Sequence, residues 1–276
     1  MSMLSPKMIY GTAWKGARTT SLVVSAFLQG FRAVDTACQP KHYRESLVGD
    51  ALEILRDKHN IRREQIFVQT KYTPISGQDL SQPVPYNPVD PVPKQILSSF
   101  QASLANLRVS YLDSYLLHSP LRTPKQTLEA WRTLIALQDE GKVHQIGLSN
   151  VYDVDLLKTL SAERPVQVVQ NRWYEGNLWD RDVCKYCREN SIQYQSFWTL
   201  SGSPQLLTHP SVLSLSHALD CTPPQVLFKL AQLHNITPLT GTTDELHMQQ
   251  DLIAERIVFK GEVQSEVKNV TQYIWG

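Results

Sequence analysis

Residues 67–71, FVQTK, carry an apolar run to a terminal lysine, and two other runs end the same way: residues 32–37, RAVDTA, reach Asp35, and residues 115–120, YLLHSP, reach His118. Each polar group closes a stretch that should be buried. If the strands lie side by side and point one way, Asp35, Lys71 and His118 meet on one rim. Outward from these runs, short β-rich segments alternate with longer helical patterns. Strands are expected over residues 8–12, 32–35, 65–70, 114–117, 144–148, 166–170, 192–197 and 236–240. Helical spacing appears over residues 21–30, 45–60, 123–142, 153–163, 179–190, 222–235 and 243–256. The strands are apolar nearly throughout, as parallel strands buried on both faces should be. Eight β-then-α units in this length predict a single-domain α/β (β/α)8 TIM barrel over residues 1–276. A doubly wound open sheet is the competing architecture, but no Gly-x-Gly-x-x-Gly follows the first strand.

The chain has 276 residues, 42% hydrophobic and 19% charged, with a net charge of +1. That is a globular composition with ample core-forming material and no polyanion-binding stripe, so neither nucleic acid nor a protein partner is expected. No apolar stretch is long enough to span a bilayer. With no signal peptide evident, the expectation is a cytoplasmic protein. Cys184 and Cys187 stand three apart in a helical pattern without a second pair nearby, which favours reduced thiols over zinc, and no metal site is expected. Residues 73–93 are rich in Pro, Gly, Asp and Asn and follow a strand's C-terminal end, so they are expected to form a lid or substrate wall.

Tyr43, in the loop after the second strand, adds a phenol to the three rim groups. A Lys beside a Tyr favours the phenolate, so Lys71 should lower the phenol's pKa, and Asp35 should hold the ammonium charged. A His in the same cup can orient a carbonyl oxygen. This machinery suits a carbonyl that receives a hydride and then a proton. None of the four residues supplies hydride, so a nicotinamide cofactor must. Taken singly, each has a bland reading: Asp35 and Lys71 as a strand-stitching ion pair, His118 as a core histidine, Tyr43 as a loop tyrosine.

The motifs GTAW, RAVDTA, Tyr43 with ESLVG, QTK, YLDSYLLHSP, IGLSN, VVQNRWYEGN and HMQQDL occur in the order in which the aldo-keto reductases carry their equivalents. The chain resembles that family over nearly its whole length. The resemblance implies a TIM barrel, an NAD(P)H-dependent carbonyl reductase, and an Asp-Tyr-Lys-His tetrad at Asp35, Tyr43, Lys71 and His118. It implies that Ser149, Asn150 and Gln170 hydrogen-bond the nicotinamide carboxamide, with a helix N-cap as the alternative role for Asn150. Ser196 would contact the pyrophosphate, and Tyr194, Phe197 or Trp198 would stack on the nicotinamide. Retention of His118 favours carbonyl reduction over carbon–carbon double-bond reduction.

Departures from the family pattern are local. The segment from Asp35 to Glu45 is longer than usual, and His42 is the alternative occupant of the Tyr43 position. At the adenosine end, Gly241, Thr242, His247 and Asp251 fall where relatives carry Lys, Ser, Arg and Asn. Gly241, Thr242 and Thr243 offer backbone and hydroxyl donors instead. The expected cofactor is NADPH, with NADH possible. A bottom-plugging N-terminal hairpin looks truncated, and only a short tail is expected after the last helix. Trp14, Trp173 and Trp198 are the expected substrate-pocket residues for a small-molecule carbonyl substrate. The second functional class is a catalytically weak NADP(H)-binding regulatory or scaffold protein on the same barrel.

Overall fold

The computed structural model describes residues 6–276; the question of an N-terminal hairpin therefore lies largely outside the described residues. Eight parallel strands close into a barrel in sequence order: β1 (Ile9–Gly11), β2 (Ala33–Asp35), β3 (Phe67–Tyr72), β4 (Leu112–Leu117), β5 (Val143–Ser149), β6 (Val168–Arg172), β7 (Gln193–Phe197) and β8 (Ile236–Thr240). All eight strands expected from the sequence are present. Helices α1 (Thr19–Gln29), α2 (Glu45–His59), α3 (Val92–Leu107), α4 (Pro124–Asp139), α5 (Val154–Glu163) and α6 (Arg181–Glu189) alternate with the strands. They are followed by α7 (Pro204–Leu207), α8 (Pro210–Ala218), α9 (Pro223–Leu233), α10 (Glu245–Ile253) and α11 (Gln264–Trp275). None of the described helices is long and apolar enough to cross a membrane.

Two corrections concern helices. The segment after α10 is not a short tail: α11 buries Val270 and Ile274. Helix α3, starting on Pro91-Val92-Pro93, completes the third β-α unit at the end of the irregular segment of residues 73–93, where no helix was expected.

Strand alternation sorts side chains between two cores. Tyr10, Val34, Val68, Val169 and Tyr194 face outward into the large helix-covered core, whereas Ile9, Ala33 and Phe67, with Leu239, plug the bottom of the barrel. Above that plug the lumen is polar. Gln69 and Gln195 exchange hydrogen bonds across the barrel at 2.7 and 3.1 Å, and Gln170 donates to Gln195 at 3.0 Å. Asp35 and Lys71 lie next above, at the rim.

Gly147 explains the GLSN motif in physical terms. A Cβ there would stand 2.0 Å from the Val168 carbonyl oxygen of β6, so only glycine permits this approach of backbones. Beyond β6, Leu178, Trp179 and Asp180 are consecutive left-handed residues with φ 53, 54 and 51°. Each such residue costs roughly 1–2 kcal/mol. Burial of Trp179 offsets part of this, as does Asp180, whose Oδ2 accepts from Asn171 at 2.7 Å and from the Tyr194 hydroxyl at 2.8 Å.

Gly147→Ala should lower stability by about 1–3 kcal/mol or more, because the β6 backbone must shift; an unchanged urea midpoint would contradict the close approach. Burial raises the Asp180 carboxyl from 3.8 to about 6, so its ionisation opposes folding. Its contribution is full below about pH 4 and is lost as pH rises through about 6. Asp180→Asn should therefore flatten the loss of stability between those pH values, read from urea midpoints at pH 4 to 7.

Candidate active site

The C-terminal ends of the strands open into one cavity of about 950 Å³. Asp35, Tyr43 and His118 all line it. Lys71 lies beneath the surface, with no exposed area. Its Nζ donates to both Asp35 oxygens at 2.7 Å and to the Thr36 carbonyl at 2.9 Å. Asp35 Oδ1 also accepts from Gln69 at 2.7 Å and from Gln170 at 3.0 Å. Burial pushes the Lys71 ammonium down from its ordinary range, and the Asp35 carboxylate pulls it back.

Tyr43 reaches the rim from the loop between β2 and α2. Its ring centroid is 5.5 Å from Lys71 Nζ and 5.9 Å from the His118 ring, edge to face. The surroundings of Tyr43 act against the expected lowering of the phenol's pKa. Burial pushes it well up, and Asp35 adds to the rise. The Asp35 carboxylate offsets part of the ammonium's field at the phenol. His118 is also neutral: burial depresses it well below the ordinary imidazole range, and the Lys71 charge depresses it further. Its Nδ1 lies 2.7 Å from the Thr73 hydroxyl oxygen. With Thr73 donating, Nε2 carries the proton and can donate to a carbonyl oxygen.

His42 does not take the place of Tyr43. It lines the cavity and stacks on Trp14 with ring centroids 3.6 Å apart. Residues 73–93 are not a wall of this cavity. They brace the Tyr43 loop from behind: Gln39 donates to the Gly77 carbonyl at 2.7 Å, and Gln78 to the Cys38 carbonyl at 3.0 Å.

Ser149, Asn150 and Gln170 line the cavity together. Asn150 is not a helix cap; Asp153 caps α5, accepting from Asp155 and Leu156. Asn150 sits at φ 53° and donates to the His118 carbonyl at 2.8 Å and to Ser149 Oγ at 3.1 Å. Gln170 commits its amide N–H to Asp35 and Gln195, which leaves its carbonyl oxygen as an acceptor.

Ser196 is fully buried, pairs with the Thr199 hydroxyl at 2.9 Å, and is not part of the cavity lining. It points outward with Tyr194, whose hydroxyl is held by Asp180; Phe197, on the alternate face, lines the cavity. Trp173 is likewise no pocket residue: it is wholly buried and packs near Trp275, 6.4 Å between centroids. Trp14, 73% exposed, and Trp198, 49% exposed, do line the mouth.

At the far end, Gly241, Thr242, His247 and Asp251 line the cavity, whereas Thr243 is exposed outside the lining. Burial lifts the Asp251 carboxyl to about 6, and Thr240 donates to it at 2.7 Å. Sequence reasoning missed Lys15, which follows GTAW directly. Its ammonium is largely buried in the cavity wall and donates to the Gly241 carbonyl. It supplies a cation at the end of the site where Gly241 had suggested one was lost. Arg172 was missed as well, although period-two alternation from Gln170 puts it on the same face.

The aldo/keto reductase family model matches residues 8–238. Among curated proteins, the chain is 26% identical to the uncharacterized oxidoreductase YtbE of Bacillus subtilis over 239 residues, covering 86% of this chain and 78% of that protein. It is 25% identical to the glyoxal reductase of the same species over 231 residues, 83% of this chain and 75% of the relative. Among solved structures, an aldo-keto reductase enzyme from a Medee basin deep-sea metagenome library superposes with a TM-score of 0.79 at 26% identity, covering 97% and 92% of the two chains. A Bombyx mori aldo-keto reductase solved in complex with NADP gives 0.80 at 20% identity, covering 98% and 89%. With its closed barrel, rim constellation and a family match over most of its length, the chain belongs to the aldo/keto reductase family.

Proposed function

We propose that this protein reduces the carbonyl group of a small aldehyde or ketone with NADPH, and that Tyr43 donates the proton. The observation that carries this reading is the shared cavity floor of Tyr43 and His118 above the buried Lys71–Asp35 pair. When bound, the reduced nicotinamide supplies the hydride. The chain's own residues do the rest. His118, neutral, donates a hydrogen bond to the carbonyl oxygen and turns it toward the phenol. Tyr43, kept protonated by burial, transfers its proton to that oxygen, and Lys71 lies close enough to stabilise the phenolate that remains. An alkoxide is a stronger base than a phenolate, so the transfer runs in the reducing direction.

The lining residues suit a dinucleotide. Phe197 offers an apolar face, Asn150 and Gln170 offer amide oxygens, and Lys15 and Arg172 offer positive charge for phosphates. Family relatives carry names consistent with small carbonyl substrates, among them a glyoxal reductase. Their shared family supports the reductase reading over a purely regulatory barrel.

Tyr43→Phe should lower kcat by about 10²-fold or more while NADPH still binds by fluorescence titration; full turnover in that variant would remove Tyr43 from the mechanism. A wild-type protein that binds NADPH but turns over no aldehyde in a broad panel would favour the regulatory alternative. Lys71→Met leaves a buried carboxylate unpaired and should also destabilise the fold by about 3–5 kcal/mol. Pairing it with Asp35→Asn should restore much of that stability without restoring turnover, a split read from urea midpoints and steady-state rates on the same samples.

A further inference from the structure

Among the cavity's charged groups, Asp35 is bound to Lys71, Asp251 accepts from Thr240, and Lys15 donates to Gly241. Arg172 differs. Its backbone is tied on both sides: its N–H donates to the Tyr152 hydroxyl at 3.2 Å, and its carbonyl accepts from Asn177 at 2.7 Å. Its guanidinium, by contrast, donates no hydrogen bond and pairs with no carboxylate among the described residues. It lies over the Trp198 ring at 4.3 Å and within 5.9 Å of the Phe197 ring. Such stacking fixes the plane of the guanidinium while leaving its N–H edge free. The Trp198 platform is itself held in a left-handed conformation, φ 62°, with its carbonyl accepting from Gly202 at 2.8 Å. A strained residue that supports a free, oriented cation at a cavity mouth is a binding arrangement rather than a packing one.

We propose that Arg172, seated on Trp198, is an oxyanion-recognition residue of this cavity, receiving a carboxylate or phosphate group of a bound ligand. The assignment rests on the reductase reading above and specifies one ligand feature. Two sources share this chemistry: an acidic group on the carbonyl substrate, and the pyrophosphate of the dinucleotide. Arg172 ends β6, two residues beyond Gln170 on the same strand face, and it is paired in register with Phe197 of β7. Lys15 serves the β1–β8 side of the rim through Gly241. The two cations thus divide the cavity, and Arg172 takes the side shared with Gln170 and Phe197. A planar fork matches a planar carboxylate in two parallel hydrogen bonds, which a lysine there could not reproduce.

The test uses the full chain, Arg172→Ala and Arg172→Lys. One arm measures kcat/KM for 4-oxobutanoate and for its uncharged methyl ester. The other measures the equilibrium Kd of NADPH by fluorescence, with no turnover involved. A substrate role predicts that the preference for the acid over the ester falls by about 10-fold or more in Arg172→Ala, with Arg172→Lys intermediate. A pyrophosphate role predicts a weakened NADPH Kd of similar size and an unchanged acid-to-ester ratio. Either result supports the assignment and identifies the source. Unchanged Kd and unchanged ratio in both variants overturn it, since a solvated surface arginine gives that result. A wild-type chain that neither binds NADPH nor reduces either aldehyde overturns the reductase reading itself, and so is distinguishable from failure at Arg172 alone.

Discussion

The buried ion pair between Lys71 and Asp35 is the interaction from which the upper half of this barrel is organised. An ammonium with no exposed surface is tolerable only if its charge is matched and its protons are placed. Asp35 supplies both, with each oxygen 2.7 Å from Nζ, and Thr36 supplies a carbonyl. The carboxylate in turn needs more donors than one lysine provides. Gln69 and Gln170 provide them, and Gln195 closes the set by bonding both glutamines. The lumen above the apolar plug is thus a hydrogen-bonded lattice spanning β2, β3, β6 and β7. Such a lattice has few alternative arrangements, which is what a site needs from its support. It also fixes what Gln170 can offer a ligand: its N–H group is committed, so the face left for recognition is an acceptor.

Three of the left-handed non-glycine residues lie on the same rim. Trp14, Asn150 and Trp198 all have positive φ, at 63, 53 and 62°, and each follows the end of a barrel strand. A non-glycine residue adopts this conformation at a cost of roughly 1–2 kcal/mol, so each must be held by neighbours. Trp14 is held by its N–H on the His42 carbonyl and by stacking on that ring, Asn150 by its side chain on the His118 carbonyl, and Trp198 by Gly202 and Arg172. Of these partners His42, His118 and Arg172 also line the cavity, whereas Gly202 does not. The strain and the site share the same contacts.

The fold was legible because its determinant is periodicity. Buried parallel strands are short, apolar and evenly spaced, and all eight were found from that signal alone. The errors in the site go against the same periodicity. Ser196 was assigned to the cofactor, yet by alternation it shares a face with Tyr194, which points away from the lumen; the cavity-facing residue is its neighbour Phe197. Trp173 stands one residue past Arg172 and faces out for the same reason. Both assignments followed the family resemblance rather than the alternation of the strand. Arg172 and Lys15 were missed on a different ground: alternation places Arg172 on the cavity face, but the significance of a cation depends on whether a carboxylate elsewhere neutralises it. Helix α11 was overlooked although its apolar stripe is well formed, with Val270 and Ile274 buried.

The loop between Asp35 and Glu45 depends on a second long segment, residues 73–93, which acts without lining the cavity. Placing a phenol at the rim from a longer loop requires that the loop have one conformation, because spare residues add entropy that must be lost when the ring is positioned. Residues 73–93 provide that constraint, not by closing over the cavity but by packing behind the loop. Gly77 and Gln78 hold Gln39 and Cys38, and the Tyr86 hydroxyl binds the Thr73 carbonyl at 2.7 Å. Thr73 in turn carries the hydroxyl that meets His118. One irregular segment therefore steadies both the loop bearing the phenol and the tautomer of the imidazole. With this segment engaged as a brace, the aromatic groups at the open mouth are the Trp14–His42 stack on one side and Trp198, beneath Arg172, on the other.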